Sequence, residues 1–149
     1  MNFDYQRLYL TADGRIGRQD FWMGILGFVV VGIVVSLIIG LLFGTMSTAG
    51  RWIGFIVQLA FAYPSYNLMA KRFQDRDKPA MFALYFIGAT LIYSLLGLLG
   101  LFGNPMQPNI LGTLLGLAVG VAAIWLLIEL GVLRGTIGQN QYGPDPVGP

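Results

Sequence analysis

The chain contains no cysteine and no histidine among its 149 residues. Without cysteine there are no disulfides, no thiolate metal ligands and no sulfur nucleophile. Without histidine, the commonest general base at neutral pH and the commonest metal ligand are both missing. Charge is scarce as well. Asp, Glu, Lys and Arg make up 11% of the chain, against roughly 25% in soluble proteins. The formal charge is only +2 and basic residues form no long run, so nucleic acid is not an expected partner. Neither a metal nor an organic cofactor is expected, because no Gly-rich phosphate loop, metal-ligand spacing or nucleophile–base pattern is present.

What the chain has is apolar: 56% of its residues. A chain this short cannot hide that much apolar surface within itself, so a lipid bilayer is the expected partner. Four apolar stretches stand out, at 21–43, 52–69, 80–102 and 110–133. At about 1.5 Å per residue each covers the roughly 30 Å hydrocarbon core as a helix. Four short strands could not close a barrel, so helices are the only spanning form available. The first stretch exceeds the roughly 7–15 residues of a signal-peptide core and is expected to be retained. The expected fold is all-α: one polytopic membrane domain over 1–149, with four transmembrane helices as two hairpins. A polar segment, 1–20, precedes them. A tail, 134–149, rich in Gly and Pro, follows and is expected to be largely irregular.

Lys and Arg are distributed unevenly around these spans. The segment before the first span carries Arg7, Arg15 and Arg18. The loop between the second and third carries Lys71, Arg72, Arg76 and Lys78, and the tail carries Arg134. The opposite side has Arg51 alone. The positive-inside rule then places both termini and the 71–78 loop in the cytoplasm. Asp4, Asp13, Asp20, Asp75, Asp77 and Asp145 share that side, so its segments can pair with one another as a short cytoplasmic cap.

Several motifs within the spans carry two readings. Gly112, Gly116 and Gly120 form overlapping small-xxx-small units, and Gly40 and Gly44 form another. Such rows let a neighbouring backbone approach closely. Packing inside the bundle is favoured over a homo-oligomer interface, and Gly131, off the row, is expected to tolerate a larger side chain better than Gly116. Pro64 is expected to kink the second span. With Asn67 and Glu129 it could mark a polar transport path; the plainer reading is local repair of the freed backbone group. Glu129, the only acid in a span, lies near its inner end, within reach of cytoplasmic cations or of the Trp125 indole four residues earlier. A structural ion pair is favoured over a transport role. An echo of Arg18-x-x-Phe21-Trp22 in Lys78-x-x-Met81-Phe82 fits the general habit of placing a cation and an interfacial aromatic at inner helix starts.

Three segments resemble a known family. They are Gly14-Arg15-Ile16-Gly17-Arg18-Gln19-Asp20-Phe21-Trp22, the stretch from Ala70 to Lys78, and Gly135-Thr136-Ile137-Gly138-Gln139-Asn140-Gln141-Tyr142-Gly143-Pro144-Asp145-Pro146. Together they resemble the bacterial inner-membrane family catalogued as domain of unknown function 805. The resemblance implies a bacterial inner (plasma) membrane location and a multi-pass topology, and it implies no activity. The matched positions are Arg15, Arg18, Phe21, Trp22, Arg72, Asp75, Lys78, Asn140, Tyr142, Gly143, Pro144, Asp145 and Pro146. The family's His falls at Gln74 here, its following Gly at Asp77, and its aromatic pair at Met81-Phe82. A mechanism that needs that His for proton transfer cannot operate in this chain.

The expected function is that of a non-enzymatic integral membrane protein. Its cap would organise the bundle or contact a protein partner or lipid headgroups. The alternative is a small transporter or channel with a polar path near Pro64, Asn67 and Glu129. The candidate cap residues are Arg15, Arg18, Trp22, Arg72, Asp75, Lys78, Glu129, Asn140, Tyr142 and Asp145. Asp75, flanked by Arg72, Arg76 and Lys78, is expected at the centre, within ion-pair distance of Arg15 or Arg18.

Overall fold

The computed structural model describes residues 4–147. A short helix, α1 (Tyr5–Tyr9), begins where the Asp4 carboxylate accepts the Arg7 N–H at 3.0 Å, an N-cap that satisfies an otherwise orphaned donor. Helix α2 (Arg18–Phe43) ends at Gly44, whose φ of +76° lets the chain reverse without a Cβ clash. Ser47 caps α3 (Thr48–Asp75), accepting from the Gly50 N–H at 2.9 Å. Helix α4 (Met81–Leu98) follows, then a small antiparallel hairpin of β1 (Gly103–Asn104) and β2 (Gln107–Pro108). Asn109 caps α5 (Ile110–Leu126), which continues into a π-helical segment, Leu127–Val132. Helix α3 packs against both α2 and α4, α4 against α5, and the π-helical segment returns to α2.

Among the described residues, three helical stretches are long and apolar enough to cross a membrane: Arg18–Phe43, Met81–Leu98 and Ile110–Val132. Much of their apolar surface faces outward; Leu41 is 86% exposed and Ile110 80%. Helix α3 has the length, at 28 residues, but Arg51, Gln58, Tyr63, Pro64, Ser65 and Asn67 dilute its hydropathy. It runs past the expected limit at 69 to Asp75, and it continues through Pro64 without a break. Helix α4 stops short of the expected 102, because the chain turns at Gly100 (φ +79°). Phe102 then folds back, buried, onto Tyr93, with ring centroids 5.0 Å apart.

The apolar core sits at one end of the bundle. Leu8, Ile16, Phe21, Leu68, Phe73, Ala83, Leu126 and Leu130 form one buried cluster, drawn from α1, the loop before α2 and its start, the end of α3, the start of α4, the end of α5 and the π-helical segment. The glycine expectations divide. A Cβ on Gly116 would stand 2.9 Å from the Tyr93 hydroxyl, and one on Gly112 would stand 2.7 Å from the Phe102 Cβ, whereas Gly120 faces open space. Gly40 and Gly44 do not make a helix–helix face: Gly44 terminates α2, and a Cβ on Gly40 would meet Thr45 of the following turn. Gly131 reverses the expectation of tolerance, since its Cβ would lie 2.8 Å from the Trp22 ring.

Candidate functional site

At the core end, the charged segments meet in a buried polar network. It begins on α3. Tyr63, Asn67 and Lys71 recur every fourth residue and so share a face. The Tyr63 hydroxyl donates to the Leu10 carbonyl at 3.0 Å and the Asn67 amide to the Tyr9 carbonyl at 2.7 Å. Lys71 donates to the carbonyls of Leu8, at 3.0 Å, and Arg7. These are the acceptors that a short helix leaves unpaired at its C-terminus. One turn on, Gln74, with its amide nitrogen toward the N-terminal segment, donates to the carbonyls of Ala12 and Gly14 at 3.0 and 2.6 Å. The position where the family resemblance places a His thus serves here as a backbone donor. Burial, reinforced by the nearby charge of Arg7, pulls the Lys71 ammonium down from its ordinary 10.5 to about 8.

Asp75 is the hub. One carboxylate oxygen accepts from Arg15 Nε at 3.1 Å and lies 3.0 Å from Arg15 Nη2; the other accepts from Arg72. Arg15 also donates to the carbonyls of Thr136 (2.6 Å), Gly138 (2.7 Å) and Gly143 (3.2 Å) in the tail. The Asp75 carbonyl accepts from the Thr136 N–H at 2.8 Å and its hydroxyl at 3.1 Å. One residue therefore joins the N-terminal segment, α3 and the tail. Both arginines and Asp75 are buried. Burial pushes the Asp75 carboxyl above its ordinary value, against the pull of Arg72 and Arg15.

A second set of donors closes the π-helical segment. The Trp22 indole donates to the Gly131 carbonyl at 3.1 Å, Arg72 to those of Leu130 (2.6 Å) and Leu133, Arg18 to Val132 at 3.2 Å, and Arg76 to Arg134 at 2.6 Å. A helix C-terminus carries unpaired carbonyls and partial negative charge, so three arginines there are electrostatically well placed. Glu129, within that segment, accepts from Arg76 at 2.9 Å and Lys78 at 2.7 Å. The Trp125 ring does not donate to Glu129 as the spacing suggested; it lies beneath the Lys78 ammonium, 5.9 Å away.

In the tail, Asn140 donates to the Gln74 carbonyl at 2.8 Å and to the Thr136 hydroxyl at 2.9 Å, and its own amide oxygen accepts the Tyr142 N–H at 2.9 Å. The segment expected to be irregular carries no helix, yet it is held against α3. Asp145 differs from its expected pairing with a cation. It is half-buried and accepts the N–H groups of Gly138 and Val147, both at 3.0 Å, which lower its carboxyl from the ordinary value, Val147 first. Sequence reasoning missed Lys71 and Gln74 as contacts and Arg76 as a Glu129 partner. The four-residue spacing from Tyr63 to Lys71 was the available signal. Among the described residues, every buried side-chain polar atom has a partner and no His/Cys/Asp/Glu cluster could hold a metal. Asn67 and Glu129, expected with Pro64 along a polar path in the transporter reading, are each engaged with different partners.

Residues 9–144 match the family described as Protein of unknown function (DUF805). The chain is similar to Uncharacterized protein YiiR of Escherichia coli (strain K12), at 31% identity over 147 residues, covering 94% of this chain and 88% of that protein. It is equally similar to the protein of that name in Escherichia coli O157:H7. No solved structure matches.

Proposed function

The chain belongs to the DUF805 family, and we propose that it is a non-enzymatic integral protein of the bacterial inner membrane whose cytoplasmic cap locks the bundle. In this reading it is a single domain that crosses the bilayer four times, with residues 52–69 within α3 as the second span and both termini inside. The Lys/Arg asymmetry supports the orientation. The more polar α3 is sheltered by α2 and α4, which suits a span shielded from lipid. The observation that carries the reading is the sharing of Asp75 between Arg15 and Arg72, while Arg15 also holds three tail carbonyls. Buried charges at a bundle end are tolerated when paired and fully hydrogen-bonded, and such a network specifies one arrangement. The cap would present a fixed surface to headgroups or a protein partner.

Topology is tested by fusions. Alkaline phosphatase joined after Pro149 is expected to be inactive and joined near Ser47 active; activity in the C-terminal fusion overturns the four-span orientation. The locking role is tested by proteolysis of inverted vesicles. The tail of the unaltered protein is expected to resist cleavage, and Arg15→Gln is expected to expose it. Equal cleavage of both proteins contradicts the lock.

A further inference from the structure

Between α4 and α5 lies a groove of about 510 Å³. Its walls include Phe82, Ala89, Tyr93, Ala118, Ala122 and Trp125. The small alanines leave space between the two helices unfilled, and a gap that water cannot favourably fill invites apolar atoms. From Phe82 to Tyr93 the groove follows α4 for about 16 Å at helical rise. That is about half of the roughly 30 Å hydrocarbon core, one leaflet deep.

The mouth of the groove is charged. Trp125 forms its cap-side end, and Lys78 stands over that ring at 5.9 Å. Lys78 and Arg76 share one carboxylate, Glu129. The side chains of Lys78 and Arg76 are 37% and 21% exposed, while that of Glu129 is 6% exposed. The acid is hidden and Lys78 is the more exposed of the two cations, so the mouth presents an accessible ammonium beside an apolar slot one leaflet long.

We infer that this groove seats one acyl chain of an anionic glycerophospholipid, with the lipid phosphate on Lys78 and Arg76. Slot length matches chain length, and the accessible Lys78 ammonium complements the phosphate. Basic positions beside a membrane helix select anionic headgroups in this way. The site would tie a lipid to the π-helical segment through Glu129. Its placement in the inner leaflet rests on the proposed orientation, whereas lipid selectivity does not.

The test uses the full chain in detergent micelles, where neither face is cytoplasmic. Phosphatidylglycerol or phosphatidylcholine with brominated acyl chains is titrated in, and tryptophan quenching is recorded. The Trp125 share is the difference from Trp125→Phe. Phosphatidylglycerol is expected to quench Trp125 at lower concentration than phosphatidylcholine. Lys78→Gln keeps the Arg76–Glu129 pair and should reduce that preference about fivefold, the weight of one surface cation. Ala118→Leu, on an exposed wall of the groove, should reduce Trp125 quenching by both lipids. Equal quenching by the two headgroups, or a preference unchanged in Lys78→Gln, overturns the inference. Because the phosphatase fusions read orientation separately, a failure here leaves the topology standing, and the reverse also holds.

Discussion

At the cap end of the bundle, Arg72 and Lys71 are fully buried and Asn67 nearly so, each with its donors engaged. At the far end the only cation among the described residues is Arg51, which donates to the Gly97 carbonyl at 2.7 Å, and the apolar Ile110 and Met106 stand exposed. The apolar cluster and the polar network thus occupy the same end. The far end is held by a short β-hairpin and the seating of Phe102 and Tyr93. Tertiary specificity concentrates where charges are buried, because an unpaired buried charge there is costly in a way that a rotated apolar helix face is not.

The sharpest way to break this contrast is to remove the hub. Asp75→Asn leaves Arg15 and Arg72 buried without a carboxylate and should cost about 3–5 kcal/mol in detergent unfolding. Arg51→Gln at the far end should cost less, about 1.5–3 kcal/mol at most, a single charge-assisted hydrogen bond's worth. Similar losses would erase the distinction between the ends.

Packing separates the ends next. Gly131→Leu drives a side chain into Trp22, whose indole is fixed by its bond to the Gly131 carbonyl, and should cost about 1–3 kcal/mol. Gly116→Leu should cost less, because it meets only the Tyr93 hydroxyl, whose own bond to the Gly112 carbonyl is long at 3.4 Å. Gly120→Leu should change nothing measurable. A thermal-shift ranking with Gly116 first would reverse the assignment of the tight contact.

A smaller effect belongs to the turn after α3. Asp77 has φ +56°, a left-handed conformation that Asp tolerates and β-branched residues do not. Asp77→Val should cost about 1–2 kcal/mol, while Asp77→Gly should be tolerated. Equal melting temperatures for Val and Gly would show that the turn is not held left-handed.

A separate effect is in pH. The folded value of Lys71, about 8, lies below its ordinary 10.5. Between these values the unfolded chain binds more protons at this site than the folded chain, so the Lys71 contribution makes stability rise with pH. Below about 8 both states are protonated there and the contribution is flat. Lys71→Met should remove that rise from melting curves between pH 8 and 10; an unchanged slope would place the amine in solvent.

The helical class and apolar stretches were legible in the sequence because hydrophobic runs of spanning length have few other readings. The Asp75–Arg15 contact was legible too, since opposite charges stranded at one bundle end must find each other. Helix α3 was harder: its polar residues blurred the expected span, and its final turn lengthens only because Lys71, Arg72 and Asp75 find partners. Asp145 was misjudged because an acid's local backbone N–H groups can outcompete distant cations. Gly131 was misjudged because a glycine's role depends on what faces it, here Trp22, more than a hundred residues earlier in sequence.

The most direct measurement is a double-mutant cycle on unfolding free energy with Arg15→Gln, Asp75→Asn and the pair. If Asp75 joins the N-terminal segment to α3, the two changes should couple by about 0.5–3 kcal/mol, the double variant losing less than the two singles combined. Additivity within about 0.3–0.5 kcal/mol would mean that Arg15 and Asp75 do not act together, and the cap would not be the lock of this bundle.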